Sequence, residues 1–229
     1  MLVVLSRSSL KDNYALWLQR LYPGIVLSDA FSADKRSLDD VLQQCSGILL
    51  TGGPDVHPAR YEKASEVSRC EEIDEKLDQL ELDLVETALE RKIPLLAICR
   101  GIQIVNTGFR GSLIVDIPSD HGRKVIHRDK EDVFHSISVA KDSDLFRYGK
   151  AYRFVVNSSH HQAIQNPGEG LVPVSWSEDG LIEAIELDQR FSHPFFTGVQ
   201  WHPERMDELN PMAGNIGKAF LQKSEQYRR

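Results

Sequence analysis

No stretch of about 20 consecutive apolar residues, the length of a membrane span, occurs in the 229-residue chain. The apolar run near the N-terminus, Leu2 to Leu5, is also far shorter than a signal-peptide core. These absences lead us to expect a soluble, cytoplasmic protein. Cysteine is scarce: Cys45, Cys70 and Cys99 are far apart and odd in number, which argues against a disulfide framework and for reduced thiols. An excess of basic charge is missing as well. With 27 Lys and Arg against 34 Asp and Glu, the net charge is -7, so phosphate backbones and anionic lipid surfaces are not expected partners. Repeats and low-complexity linkers are absent. At this length we expect one α/β domain over residues 1–229 rather than two.

What is present is an alternation of short β-branched runs with longer amphipathic segments, the pattern of strand-helix-strand units. Leu2 to Leu5, Ile25 to Leu27, Gly47 to Leu50 and Ile93 to Ile98 read as strands. Between the last two, Ile73, Leu77, Leu80, Leu84, Ala88 and Leu89 fall at helical spacing, with acidic residues at the start and Arg91-Lys92 at the end. The charges of this helix are expected to face solvent. The second half reads as strands joined by short turns: Phe134 to Ala140, Arg153 to Ser158, Leu171 to Trp176, Leu181 to Leu187 and Thr197 to Gln200. A closing helix follows within Asp207 to Gln226, starting late because of Pro211. The expected fold is a three-layer, flavodoxin-like open sheet, mostly parallel, with antiparallel additions in the C-terminal half.

Three segments carry candidate chemistry. In Ala97-Ile98-Cys99-Arg100-Gly101 a strand runs straight into a helix through a cysteine flanked by small residues, the pattern of a nucleophile elbow. This places the sulfur at a helix N-terminus, where the dipole and free N–H groups favour thiolate. In Trp201-His202-Pro203-Glu204 a histidine and a carboxylate two residues apart follow a strand, so Glu204 can hold one imidazole nitrogen while the other faces a thiol. In Leu50-Thr51-Gly52-Gly53-Pro54 a strand ends in two glycines whose N–H groups can face an oxyanion, with the N–H of Arg100 as second donor. Each has a plainer alternative: a buried structural thiol, a surface turn, and an ordinary Gly-Gly-Pro turn.

The order and content of several blocks resemble the class I glutamine amidotransferases, and within them the γ-glutamyl hydrolase branch, peptidase family C26, which includes γ-glutamyl-γ-aminobutyrate hydrolases. The blocks are Leu50 to Pro58 with Tyr61, Cys99-Arg100-Gly101-Ile102-Gln103, Val156-Asn157-Ser158-Ser159-His160-His161-Gln162, Ile182 to Glu186, and Gly198 to Glu204. The resemblance implies a triad of Cys99, His202 and Glu204, an oxyanion hole from the N–H groups of Gly53 and Arg100, and substrate binding by Gly52, Gln103, Ser159, His160, His161 and Gln162. For His160 and His161 a hydrogen-bonded structural role is the alternative. It implies no metal and no cofactor, a small γ-glutamyl amide or amidate as substrate, and leaves room for a homodimer.

The departures are Ala97 where relatives carry glycine, Phe109-Arg110-Gly111 where they carry a glycine pair, and the opening Ser6-Arg7-Ser8-Ser9. Ala97 is expected to fit the elbow with slight strain, and Arg110 is expected near the pocket rim. His57, His121, His127, His135 and His193 show no metal-ligand spacing among themselves and are expected to be surface or structural residues, His57 being the exception to watch. Trp17, Phe109 and Trp176 read as core. Two other functions remain open at this point: a glutaminase subunit that passes ammonia to a synthetase partner, and a non-catalytic binding protein on the same fold.

Overall fold

A computed structural model describes residues 1–227. The first half contains β1 (Leu2–Leu5), α1 (Asn13–Leu21), β2 (Val26–Asp29), α2 (Lys35–Gln44), β3 (Gly47–Leu50), α3 (Glu75–Arg91), β4 (Leu95–Ile98) and α4 (Arg100–Gly108). The second contains β5 (Ser112–Ile114), α5 (Ile117–Asp120), β6 (Val133–Val139), α6 (Asp144–Gly149), β7 (Arg153–Ser158), β8 (Ala163–Asn166), β9 (Leu171–Ser177), β10 (Ile182–Leu187), β11 (Phe196–Val199) and α7 (Gly214–Tyr227). The expected strands are all found, shifted by a residue or two at their ends. The short strands β5 and β8 are additional.

The strands join into one mixed, α/β-type sheet in the order β2-β1-β3-β4-β11-β10-β9-β6-β7, with β8 and β5 attached beside β10. Strands β2, β1, β3, β4 and β11 run parallel. The pairings of β10, β9, β6, β7, β8 and β5 are antiparallel, as expected for the C-terminal half.

The period-2 alternation of the buried strands divides the core into two layers. Val4, Leu95 and Ala97 point to the face covered by Leu42 of α2, Leu84 and Ala88 of α3 and Ile102 and Val105 of α4. Val3, Leu5, Leu96 and Ile98 point to the other, covered by Trp17 and Leu18 of α1, Leu145 of α6 and Ile216 and Phe220 of α7. Helices therefore cover both faces, the three-layer arrangement a parallel sheet needs.

The longest helix, α3, shows why these segments stop where they do. Asp74 accepts from the Leu77 N–H at its start, Glu75 and Asp78 occupy the first turn, and Lys92 closes it in a left-handed conformation at φ 56°. The expectation that its charges all face solvent is corrected here. Asp78 and Glu81 are fully buried, because Arg100 reaches between them. Arg110, expected near the pocket rim, is corrected too: it lies exposed past the C-terminal end of α4, the end opposite Cys99, with φ 66° in place of the glycine a helix usually has there.

Candidate active site

Strand β4 lies between β3 and β11, all parallel, so the segments following the three strands emerge at one edge. Ligands of open α/β sheets bind at this carboxyl end. Cys99 sits at the end of β4 with φ 53° and ψ -105°, a conformation a side chain adopts only when the surroundings enforce it. Its N–H is held by the Val199 carbonyl at 2.8 Å. Close packing fixes the following helix: a Cβ on Gly101 would lie 2.8 Å from the Leu50 carbonyl oxygen, and one on Gly198 2.7 Å from Ile102 Cγ1. Ala97 keeps regular register with Leu50 and Gly198, so the strain falls on Cys99 instead.

His202 and Glu204 follow β11. His202 Nδ1 lies 2.8 Å from Glu204 Oε1, and both side chains are buried. A Cβ on Gly52 would be 3.2 Å from His202 Cε1 and 3.7 Å from Cys99 Cβ, so imidazole and thiol flank the same stretch of backbone. Burial opposes protonation of His202. The charge and hydrogen bonding of Cys99, followed by the bond and charge of Glu204, outweigh it and raise the imidazole to about 10. The raised value places an imidazolium beside the sulfur, where it can stabilise negative charge that develops there.

Beside Cys99 opens a cavity of about 240 Å³ whose wall includes Gly53, Arg100, Gln103, Ser159, His160, His161 and Gln162. It lies below the roughly 300–1,000 Å³ of drug-sized sites, a scale suited to an amino-acid-sized group. Gly53 and Arg100 occupy a strand-to-loop turn and the first position of α4, where an N–H has no intrahelical acceptor. Gly52 stands differently: its N–H donates to the Tyr14 hydroxyl at 2.9 Å, and it is not among the residues that wall the cavity. Gln103 Nε2 donates to the Gln162 carbonyl at 3.0 Å and to Gln200 Oε1 at 3.2 Å, leaving its own oxygen for the cavity. His161 pairs with Asp55 at 2.9 Å, and although burial opposes its charge, the bond to Asp55 raises its pKa. Its neighbour His160 is buried, with Nδ1 3.0 Å from the Gln162 carbonyl oxygen. A larger hollow of about 620 Å³ elsewhere, walled in part by Lys63, Arg69 and Trp176, contains none of these residues.

Several contributors escape a reading of the sequence. The Asn157 side chain accepts from the His202 N–H at 3.0 Å and donates to its carbonyl at 3.1 Å, pinning that backbone from both sides. The Tyr14 hydroxyl lies 3.4 Å from His202 Nδ1. The Arg100 side chain is tied down by three partners: Nε donates to the Pro54 carbonyl at 2.9 Å, Nη2 bonds Asp78 at 2.5 Å and Nη1 bonds Glu81. Burial is the main cause of its lowered pKa, about 10. His57 caps a short turn, its Nδ1 accepting from the Ala59 N–H at 3.1 Å, and does not reach the cavity. For His127 and His135, expected to be surface or structural residues, the structure excludes the surface. They are buried and converge with His160 and Glu183, the ligand-type atoms lying within 4.8 Å of one another. The four come from four different segments, so no spacing along the chain reveals them.

A family model described as peptidase C26 matches residues 6–204. The chain belongs to the peptidase C26 family. Among its relatives, the γ-glutamyl-γ-aminobutyrate hydrolase PuuD of Escherichia coli K12 is 31% identical over 221 residues, covering 88% of this chain and 84% of the relative. A Schizosaccharomyces pombe protein provisionally named a glutamine amidotransferase is 35% identical over 182 residues, 78% of this chain and 70% of that one. Among solved structures, the glutaminase domain of Trypanosoma brucei CTPS with bound acivicin superposes with a TM-score of 0.66 at 14% identity, covering 99% of this chain and 94% of that one. That likeness bears on the fold. Family membership supports a hydrolase, and no helix among the described residues is long and apolar enough to cross a membrane.

Proposed function

We propose that the chain hydrolyses the γ-glutamyl amide bond of a small γ-glutamyl amine or amidate, with Cys99 as nucleophile, His202 as acid and base, and Glu204 as the residue that orients it. The observation that carries this reading is the strained Cys99 turn beside a buried His202–Glu204 pair 2.8 Å apart, at the edge of a small polar cavity.

The thiolate attacks the γ-carbonyl carbon, and the oxygen that gains charge is met by the N–H groups of Gly53 and Arg100. Imidazolium is the favoured state of His202 at neutral pH, so a proton is at hand for the departing amine. The C–N bond breaks and a γ-glutamyl thioester remains on Cys99. Neutral His202 then takes a proton from water, whose oxygen attacks the thioester; glutamate leaves and the thiolate–imidazolium pair is restored. Gln103, Ser159, His160, His161 and Gln162 line the wall against which the glutamyl amino-acid end would lie.

Glutamine is itself a γ-glutamyl amide whose leaving group is ammonia, so a glutaminase subunit is the second reading, supported by the amidotransferase names of relatives. A screen of γ-glutamyl amines and glutamine with the purified chain, scored by glutamate release, separates them. Strong release from γ-glutamyl amines by the chain alone is expected. Release from glutamine only in the presence of a synthetase partner would replace this reading with the second. Cys99→Ala is expected to abolish turnover with the fold intact.

A further inference from the structure

His127, in the segment before β6, His135 on β6, His160 just after β7 and Glu183 on β10 converge beside the cavity, His160 being part of its wall. Their side chains are 1%, 4%, 2% and 0% exposed. Each histidine has one ring nitrogen facing an acceptor. His127 Nε2 lies 3.1 Å from Asp179 Oδ2, His135 Nδ1 3.3 Å from the Ser136 carbonyl oxygen, and His160 Nδ1 3.0 Å from the Gln162 carbonyl oxygen. Those nitrogens must carry the protons, so the opposite nitrogens of the neutral rings present lone pairs. His127 Nδ1, His135 Nε2, His160 Nε2 and both Glu183 oxygens are buried without a hydrogen-bond partner among the described residues.

The bare nitrogens all face Glu183 Oε1, at 3.6, 3.5 and 3.8 Å respectively. Three lone pairs turned on a carboxylate repel one another unless something positive lies between them. A protonated Glu183 would serve only one of the three. Four donors around an ion at about 2.0–2.1 Å in tetrahedral geometry stand about 3.4 Å apart, so contraction by a few tenths of an ångström brings these Glu183 separations to a coordination edge. Nitrogen and carboxylate donors of this kind suit zinc and its late first-row neighbours rather than magnesium or calcium. Asp179 against His127 supplies the outer carboxylate that holds a ligand ring in place.

We propose that His127, His135, His160 and Glu183 bind one divalent transition-metal ion, zinc in the first instance, in a closed four-ligand structural site. This inference stands independently of the hydrolase reading. With four protein ligands no position is open to substrate, so the ion is structural. It ties the segment around His127 to β6, β10 and the His160–Gln162 wall. The His127 carbonyl already accepts from Ser158 Oγ at 2.7 Å and the His160 N–H at 3.1 Å, and the ion would lock these contacts.

The full chain, stripped with a chelator, is titrated with Zn²⁺ and separately with Co²⁺. Uptake of about one ion per chain, tetrahedral-type Co²⁺ absorption and a rise in unfolding temperature with Zn²⁺ are expected. Glu183→Gln and His135→Gln should lose that uptake, and Asp179→Asn should weaken it about 10–100-fold. Cys99→Ala should retain it. The proposal is overturned if the folded wild-type chain takes up neither ion, if the two ligand variants bind as the wild type does, or if Cys99→Ala removes the binding. Asp179→Asn leaves all four ligands in place, so unchanged affinity in that variant also counts against the site should the ligand variants fail to fold.

Discussion

At His202 two opposing effects meet, and their balance sets the resting state of the site. Burial favours the neutral ring, while Cys99 and Glu204 favour the cation and prevail, to about 10. Removing the sulfur should shift the balance toward burial. In Cys99→Ala the His202 imidazole is expected to titrate well below its wild-type value, read from ring chemical shifts against pH; an unchanged value would show that Glu204 alone sustains the cation. Asn157 acts at the same scale through the backbone, with bonds of 3.0 and 3.1 Å to the N–H and carbonyl of residue 202. Asn157→Ala leaves both buried groups without that partner, and we expect a loss of about 1–3 kcal/mol in stability. The fall in kcat should exceed any rise in KM, because the imidazole is displaced rather than the substrate wall. Denaturant unfolding and steady-state kinetics check the two halves of that statement. The Cys99 and His202 motifs were legible because each lies within a few residues of sequence. Asn157 and Tyr14 were not legible as partners of His202, since contacts 45 and 188 residues apart leave no local pattern.

Between elements, the Arg100 side chain joins α4 to α3 and to the turn after β3. It bonds Asp78, Glu81 and the Pro54 carbonyl, and the residue itself lines the cavity. The strut therefore holds both proposed oxyanion donors, Gly53 and Arg100, on one rigid frame. Arg100→Met keeps the backbone N–H and the bulk but leaves the buried Glu81 carboxylate without its cation, while Asp78 retains Arg60 and the His57 N–H, both at 3.1 Å. We expect a cost of about 3–5 kcal/mol in unfolding free energy, measured by urea denaturation; a loss below 1 kcal/mol, the order of an exposed pair, would mean the network contributes little. The sequence itself carries a clue to this strut. Glu81 falls within the apolar stripe of Leu77, Leu84 and Ala88, and an acid in a core-facing stripe calls for a buried cation. The acidic start and basic end of α3 hide it, because they fit a solvated face equally well. The short strands β5 and β8 escaped for another reason: three and four residues give too little alternation to distinguish a strand from a loop.

Across the whole molecule, the parallel strands β3, β4 and β11 bring the elbow, the glycine turn and the His202 segment to one edge. The segments around the antiparallel strands supply the Ser159–Gln162 wall. The alternation of strands and helices made the fold legible. The convergence of His127, His135, His160 and Glu183 depends on strand order within the antiparallel block, which no local pattern encodes. The raised pKa of His202 also has a global consequence. Its unfolded value is about 6.5, so the folded state retains a proton that the unfolded chain loses between there and about 10. That contribution to stability is complete below about pH 6.5 and is lost as the pH rises through about 10. The stability difference between wild type and His202→Gln should therefore shrink with rising pH across this window; a constant difference would contradict the raised value.

The central claim is that Cys99 carries the γ-glutamyl group during turnover. Rapid acid quench of the purified chain with a γ-glutamyl amide, followed by intact mass and peptide mapping, tests it most directly. The expected result is a thioester-linked γ-glutamyl group on the peptide containing Cys99, absent from Cys99→Ala, which also releases no glutamate. Glutamate release by Cys99→Ala at the wild-type rate, or an adduct on a different residue, would contradict the claim.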